Sequence, residues 1–312
     1  MRCKVICNPK SGRHASPKKL ERILGKLVME HDISFIDIFR TTGSGDAWRA
    51  AAAVSADDYD LIIGAGGDGT LNEIVNGLME GGSGLPLAML PGGTVNDFAY
   101  YMDLPTEAED FCRMLRQGSV QEVDLGRANG RYFINVAAFG MFADVAYKTK
   151  NRDKSILGKL AYYMQGMRDV PEQLFSTMQL TAEYGEAFGD MEALVCIIAN
   201  SSSVAGVRRF INNAKVDDGL LDLFLVTKPA LQTLSETFRG LFSGEGQGMG
   251  IVRQQQISRG SFLLRDDKTV EVDLDGEKCG TLPLTIEVAP KALKLFVPAT
   301  DTKPLKNILL PG

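Results

Sequence analysis

Two domains of different class are predicted: an α/β domain built on a parallel sheet, then a β-sandwich. Three observations carry this. Strand-like and helix-like stretches alternate up to about residue 125, glycine-containing polar loops follow three of the apolar runs, and beyond Asp124 the pattern changes to short strands and turns. A chain of 312 residues also exceeds the length at which one core usually keeps growing. The expected division is 1–125, then 126–298, with a short tail over 299–312 that returns to the first domain.

In the first domain, residues 4–7 read as a strand. A helix follows, with Ser16 as cap, Pro17 in its first turn, and Leu20, Ile23, Leu24, Leu27 and Val28 on one face. Residues 34–39 read as the next strand, and 46–54 as an alanine-rich helix. Leu61-Ile62-Ile63 supplies a third strand; Leu71, Ile74, Val75 and Leu78 then recur at helical spacing. A further apolar run covers 85–90, and a helix over 107–116 closes the domain. This βαβα order implies a parallel sheet. In the second domain Asn129-Gly130 signals a hairpin before a strand at 132–136. Further strands are expected at 177–184, 193–199, 220–226, 261–264, 270–274, 284–288 and 293–297. So many short strands predict a sandwich, interrupted by helices at 157–168 and 231–242.

The run Gly64-Ala65-Gly66-Gly67-Asp68-Gly69-Thr70-Leu71-Asn72-Glu73 sits at a strand-to-helix turn. Backbone N–H groups there can face an anion, and glycine lets a phosphate approach without a Cβ in the way. Asp68 is the unexpected member. A bare carboxylate roughly 4 Å from a phosphate charge is repelled by about 4 kcal/mol at an effective dielectric of 20. A bridging Mg2+ reverses that sign. The run satisfies G-x-G-x-x-G, the dinucleotide fingerprint. That fingerprint needs an acid about twenty residues on to hold the ribose, and Leu85-Pro86-Leu87-Ala88-Met89-Leu90 has none. A polyphosphate site in a Rossmann-like nucleotide-binding domain is therefore preferred. Pro91-Gly92-Gly93-Thr94-Val95-Asn96-Asp97-Phe98 and Asn8-Pro9-Lys10-Ser11-Gly12 also follow apolar runs. Ligands of open parallel sheets bind beyond the carboxyl ends of the strands, so three such loops predict one shared cleft.

The net charge of -5 leaves no footprint for nucleic acid. Basic residues cluster at Lys148, Lys150, Arg152, Lys154 and Lys159 and at Arg208-Arg209, either as solvated faces or as docking points for anionic lipid. No span approaches the roughly twenty apolar residues needed to cross a bilayer, and no signal peptide is visible. Five cysteines without a CxxC pair read as reduced thiols of a cytosolic protein. Two histidines, His14 and His31, are too few for zinc-hydrolase or Ser-His-Asp chemistry, so a general base would be a carboxylate. Neither the Walker A pattern nor the protein-kinase HRD pattern occurs.

Taken with Asp124-Leu125-Gly126, Lys215-Val216-Asp217-Asp218-Gly219-Leu220-Leu221-Asp222 and Asp275-Gly276-Glu277, the three loops resemble the diacylglycerol kinase catalytic family, in its bacterial soluble lipid kinase branch. The resemblance spans nearly the whole chain. It implies ATP as phosphoryl donor, Mg2+, and a primary hydroxyl of diacylglycerol or a related lipid as acceptor. It implies nucleotide contacts at Asn8, Pro9, Lys10, Ser11, Gly12, Thr41, Gly66, Gly67, Asp68, Gly69, Thr70, Leu71, Asn72 and Thr94. A carboxylate and metal network of Asp68, Asp97 and Asp124 is implied too. The base is Glu277 or Asp275, with Glu277 favoured. Lys215 and Leu220 through carbonyls and Asp218 through its carboxylate would hold a structural Mg2+. The resemblance places the chain in the cytoplasm, touching the membrane peripherally during turnover, and admits a homodimer. Tyr100-Tyr101 stand where the family usually carries an arginine, Ser201-Ser202-Ser203 replace a glycine-rich turn, and Asn213 replaces a proline. NAD kinase resembles the chain in its Gly-Gly-Asp-Gly loop, sphingoid-base kinase shares the nucleotide framework, and a regulatory module that binds nucleotide without turnover is the non-enzymatic alternative.

Overall fold

The computed structural model describes residues 1–11, 17–30, 32–93, 96–140, 177–204, 214–227 and 252–299. The first layer follows the predicted alternation: β1 (Arg2–Cys7), α1 (Pro17–Met29), β2 (Phe35–Arg40), α2 (Asp46–Ala52), β3 (Leu61–Gly66), α3 (Asp68–Gly81), β4 (Leu87–Pro91), α4 (Asp97–Tyr101) and α5 (Ala108–Gln117). The four strands are parallel in the order β4-β3-β1-β2, with Val5 opposite both Ile38 and Ile63. Every residue of β3 and β4 is buried, as befits parallel strands covered on both faces. Ile23, Leu27, Ile74 and Val75 join them in one core, each stabilising by about 1.5–3 kcal/mol through burial. α3 lies close against α2, because a methyl on Gly77 would come within 2.3 Å of the Trp48 carbonyl oxygen. The sheet grows from β1 to β2 on one side and to β3 on the other. Such a reversal opens a crevice beyond the carboxyl ends of β1 and β3.

The second layer holds β5 (Ser119–Ala128), β6 (Arg131–Phe133), β7 (Val136–Gly140), β8 (Met178–Tyr184), β9 (Ala187–Ala199), β10 (Leu221–Thr227), β11 (Val252–Ile257), β12 (Arg259–Leu264), β13 (Glu271–Leu274), β14 (Glu277–Thr281) and β15 (Leu284–Val297). Residues alternate between buried and solvated along β8, and Phe139, Leu180, Ile198, Leu223 and Phe262 fill a second core. Asn129 and Gly130 both have positive φ, 47° and 89°, and Ala128 faces Arg131. That is the type I′ hairpin the dipeptide predicts.

Some elements differ from expectation. The strand expected over 132–136 is broken at Ile134-Asn135, whose N–H groups turn instead to the Asp275 carboxylate. The strands expected at 284–288 and 293–297 are one strand, β15, interrupted by a bulge between Ala289 and Leu293. Pro290 lacks an N–H for the ladder, and Lys291 takes φ 52°. β5, β11 and β14 were not expected, since their polar residues hide the alternation. β15 pairs antiparallel with β5 along its length and also sets Leu295 beside Leu87 of β4. β15 thus already returns the chain to the first sheet before Pro298. The expected helices at 157–168 and 231–242, and the tail beyond 299, lie outside the described residues.

Candidate active site

The three strand-end loops meet. Asn8 continues β1 by donating its N–H to the Ala65 carbonyl (2.9 Å), and its Nδ2 donates to Thr70 Oγ1 (3.2 Å) across the crevice between β1 and β3. The N–H of Thr41 donates to the Cys7 carbonyl (2.9 Å), bringing the end of β2 to the same edge. Gly92 N–H donates to the Gly66 carbonyl (2.6 Å), and a methyl on Gly93 would lie only 3.1 Å from Gly67 Cα. The two glycine loops therefore touch backbone to backbone. No side chain caps the start of α3, so its first-turn N–H groups are left for an anion. Pro9 and Lys10 are exposed at the rim, and Ser11 Oγ donates to the Asn8 carbonyl (2.7 Å). Gly12 and Thr94 lie outside the described residues. Leu71 and Asn72 serve the interior instead: Leu71 is 4% exposed in the core, and Asn72 Nδ2 donates to Asp275 Oδ2 (2.7 Å).

Acids gather beside the glycine loops. Burial pushes the Asp68 carboxyl up to about 6, and the charges of Asp97 and Asp275 add to the rise. Asn96, left-handed at φ 51°, ties the second loop to it. Its N–H donates to Asp68 Oδ2 (3.2 Å), while its side chain closes on Gly93 through Oδ1 and Nδ2 (2.9 and 2.8 Å). Ser203 Oγ donates to Asp97 Oδ1 (2.6 Å). Among the described residues no group of three or more His, Cys, Asp or Glu side chains converges on one point. Two carboxylates held close at the cost of mutual repulsion nevertheless suit Mg2+, which is commonly held by one or two carboxylates, nucleotide phosphates and water.

Asp275 and Glu277 have different settings. Asp275 accepts four hydrogen bonds: Asn72 Nδ2 and Ile134 N–H at Oδ2 (both 2.7 Å), Asn135 and Val136 N–H at Oδ1 (both 2.9 Å). Burial still raises its pKa against the pull of these donors. It ties α3 to the break between β6 and β7, with its lone pairs engaged. Asn76 strengthens the tie, donating to the Tyr132 carbonyl (2.9 Å) and accepting from Tyr132 N–H (2.9 Å). Glu277 is half-exposed at the start of β14. One oxygen accepts from Arg131 Nη2 (3.1 Å); the other stands so close to α3 that a methyl on Gly69 would lie 2.6 Å from it. Of the two candidate bases, Glu277 presents its carboxylate at the N-terminal end of α3.

Asp124 is engaged elsewhere. Its Oδ1 accepts from Lys291 N–H and its Oδ2 from Gly219 N–H, both at 2.7 Å, pinning the β15 bulge to the loop before β10. In that loop Asp218 Oδ1 accepts from Leu220 N–H (3.1 Å). Nearby Asp222 is pushed up to about 6 by burial and by the charge of Asp218. An acidic loop with carbonyls at Lys215 and Leu220 has the oxygen chemistry of a divalent-cation site. Tyr101, beside Tyr100 at the expected arginine position, donates its hydroxyl to the Ala214 carbonyl (2.8 Å) and straps this loop to α4. The sequence reading missed Asn96, Asn135, Arg131, Tyr101 and Ser203 as site residues; Asn96 lay inside a motif and Tyr101 and Ser203 in departures from one, but all except Asn96 act through contacts distant in sequence.

Residues 2–128 match the diacylglycerol kinase catalytic domain, and a diacylglycerol kinase of Staphylococcus saprophyticus is 34% identical over 95% of both chains. The chain belongs to the diacylglycerol kinase catalytic family. Residues 135–297 match the YegS C-terminal NAD kinase beta sandwich-like domain. A diacylglycerol kinase of Staphylococcus aureus strain JH9 is 33% identical over 95% of this chain and 92% of its own. Two solved structures from Bacillus anthracis strain Sterne share the fold. One has a TM-score of 0.79 with 29% identity over 95% of each chain. The other, a diacylglycerol kinase, has a TM-score of 0.70 with 25% identity over 95% of this chain and 96% of that one. Among the described residues no helix is long and apolar enough to cross a membrane. The basic clusters at 148–159 and 208–209 lie outside the described residues.

Proposed function

We propose that the protein transfers the γ-phosphoryl group of ATP to a primary hydroxyl of diacylglycerol or a closely related lipid, giving phosphatidic acid or its equivalent. The observation that carries this reading is the placement of Glu277 beside Gly69, at the start of α3, whose N-cap Gly67 makes no side-chain cap. The N–H groups of the Gly66–Thr70 loop would hold the phosphates, with Asn8 and Thr70 closing the crevice beneath them. Asp68 and Asp97 would hold Mg2+, which supplies charge neutralisation to the transferring phosphoryl group. Glu277 would accept the hydroxyl proton as the acceptor oxygen bonds to phosphorus. The bond from phosphorus to the bridging oxygen breaks, and ADP leaves with those electrons. Arg131 orients Glu277, and Asp275 keeps α3 docked so that distance persists.

Purified protein incubated with γ-labelled ATP and Mg2+ should label diacylglycerol in mixed micelles, with no label in an Asp68→Ala control. Sphingoid bases and NAD are offered in parallel. Label in NADP or in a sphingoid phosphate alone would replace the acceptor; ATP binding without transfer to any acceptor would favour a regulatory module.

A further inference from the structure

Ser203 stands on the loop that follows β9, in the second layer, yet its hydroxyl meets an acid of the first. The side chain is 1% exposed, and Oγ donates to Asp97 Oδ1 at 2.6 Å. A hydroxyl bonded at that length to a carboxylate is a charge-assisted contact, short and directional. Ser203 is itself held from several sides. Its carbonyl accepts from Asn135 Nδ2 (2.8 Å), and its N–H donates to Ser201 Oγ (3.3 Å), which in turn donates to Asn135 Oδ1. Asn135 is anchored through its own backbone, donating N–H to Asp275 Oδ1 (2.9 Å) and accepting at its carbonyl from Asn200 N–H (2.8 Å). A continuous hydrogen-bonded chain therefore runs from Asp97 through Ser203 and Asn135 to Asp275, which also accepts from Asn72 of α3. Both ends of the chain reach α/β-layer elements that frame the crevice.

We propose that Ser203 is a positioning residue for phosphoryl transfer, which from the second layer sets the orientation in which Asp97 meets the cation and nucleotide. The proposal rests on the nucleotide-kinase reading above. A buried residue held by Asp97, Asn135 and Ser201 has little freedom to move, so the carboxylate it grips inherits that order. Partners of this kind behind a cation-binding group typically change affinity or activity by about 10–100-fold when removed. A bond that merely glued the two layers would lower stability and leave cation dependence alone.

Three variants separate these roles. Ser203→Ala removes the donor and some volume, Ser203→Cys keeps the volume with a weak donor, and Ser203→Thr keeps the hydroxyl. The Mg2+ concentration for half-maximal ATP binding, read by calorimetry without lipid, should rise about tenfold in both Ser203→Ala and Ser203→Cys. It should return to within about threefold of wild type in Ser203→Thr. Where transfer to diacylglycerol is observed, kcat should fall in the same order. Unchanged Mg2+ dependence in Ser203→Ala and Ser203→Cys, or an equal rise in all three variants, would overturn the proposal. A wild-type protein that binds ATP with Mg2+ but labels no lipid would sink the acceptor reading and leave the Ser203 comparison valid. One that binds no ATP would end both.

Discussion

Replacing Gly69 by alanine sets helix stability against function at one position. Gly69 is in the first turn of α3, and an added methyl would lie 2.6 Å from Glu277 Oε1, where ordinary contact begins near 3.4 Å. The carboxylate must withdraw by about 0.8 Å. It is the free end of a half-exposed side chain, so the withdrawal itself is cheap. Alanine for glycine favours a helix by up to about 1 kcal/mol, worth about 2–4 °C in Tm for a chain approaching this size. The position of a base is less forgiving, because a displacement of about 1 Å can cost on the order of 100-fold in rate. Gly69→Ala should thus match or exceed the wild-type Tm while its kcat for lipid phosphorylation falls about 30–100-fold. The assay is initial-rate transfer from γ-labelled ATP into mixed micelles, with melting followed by circular dichroism. Adding Glu277→Gln to Gly69→Ala should cost little beyond Glu277→Gln alone, since both changes act on one carboxylate. A Gly69→Ala enzyme with kcat within about threefold of wild type would refute the placement of the base.

Glu277→Gln should lose activity with its melting temperature intact, whereas Asp275→Asn, which puts an amide among four donors, should lose about 2–4 kcal/mol of stability in denaturant titration; the reverse pattern would exchange their roles. Asp68 binds its proton more tightly when folded, with a pKa of about 6 against 3.8, so its contribution to stability is full below pH 3.8 and is lost as pH rises through about 6. In EDTA, Asp68→Asn should therefore be more stable than wild type by up to about 2 kcal/mol at pH 7.5 and no more stable at pH 3.5, while losing activity. Mg2+ or Mn2+ should raise the Tm of the wild-type protein through the Asp218 loop. Asp218→Ala should lose that protection, and equal protection in both would move the cation elsewhere.

Much of this organisation was legible in the sequence because it is local. Leu61-Ile62-Ile63 followed by glycines and then helical spacing specifies a strand, a turn and a helix without reference to anything distant, and Asn129-Gly130 specifies its hairpin in the same way. What escaped depends on partners far along the chain. Asp124 sits in a motif beside Leu125 and Gly126, but its oxygens meet Gly219 and Lys291, so the network expected of it belongs to the β15 bulge. Asp275 and Glu277 are two positions apart in one turn and differ in everything that matters: one is enclosed by four donors, the other faces α3. Periodicity cannot see β14, where polar residues fill the strand, nor the union of two strands across Pro290. Tyr101, next to the lost cation position at Tyr100, is a strap between layers, since a phenol long enough to reach the Ala214 carbonyl serves there.

The pairing of Leu295 with Leu87 also bears on how the chain is made. β4 emerges from the ribosome with the residues of its glycine loop, but the strand that covers its open edge follows roughly two hundred positions later. At about 5–20 residues per second that interval is on the order of 10–40 s. Through it the nascent first layer carries a bare apolar strand, Leu87-Ala88-Met89-Leu90, the kind of edge that recruits chaperones or neighbouring chains. The two layers are thereby joined by one late event, so that on the proposed reading a half-made protein would have no finished cleft in which to hydrolyse ATP.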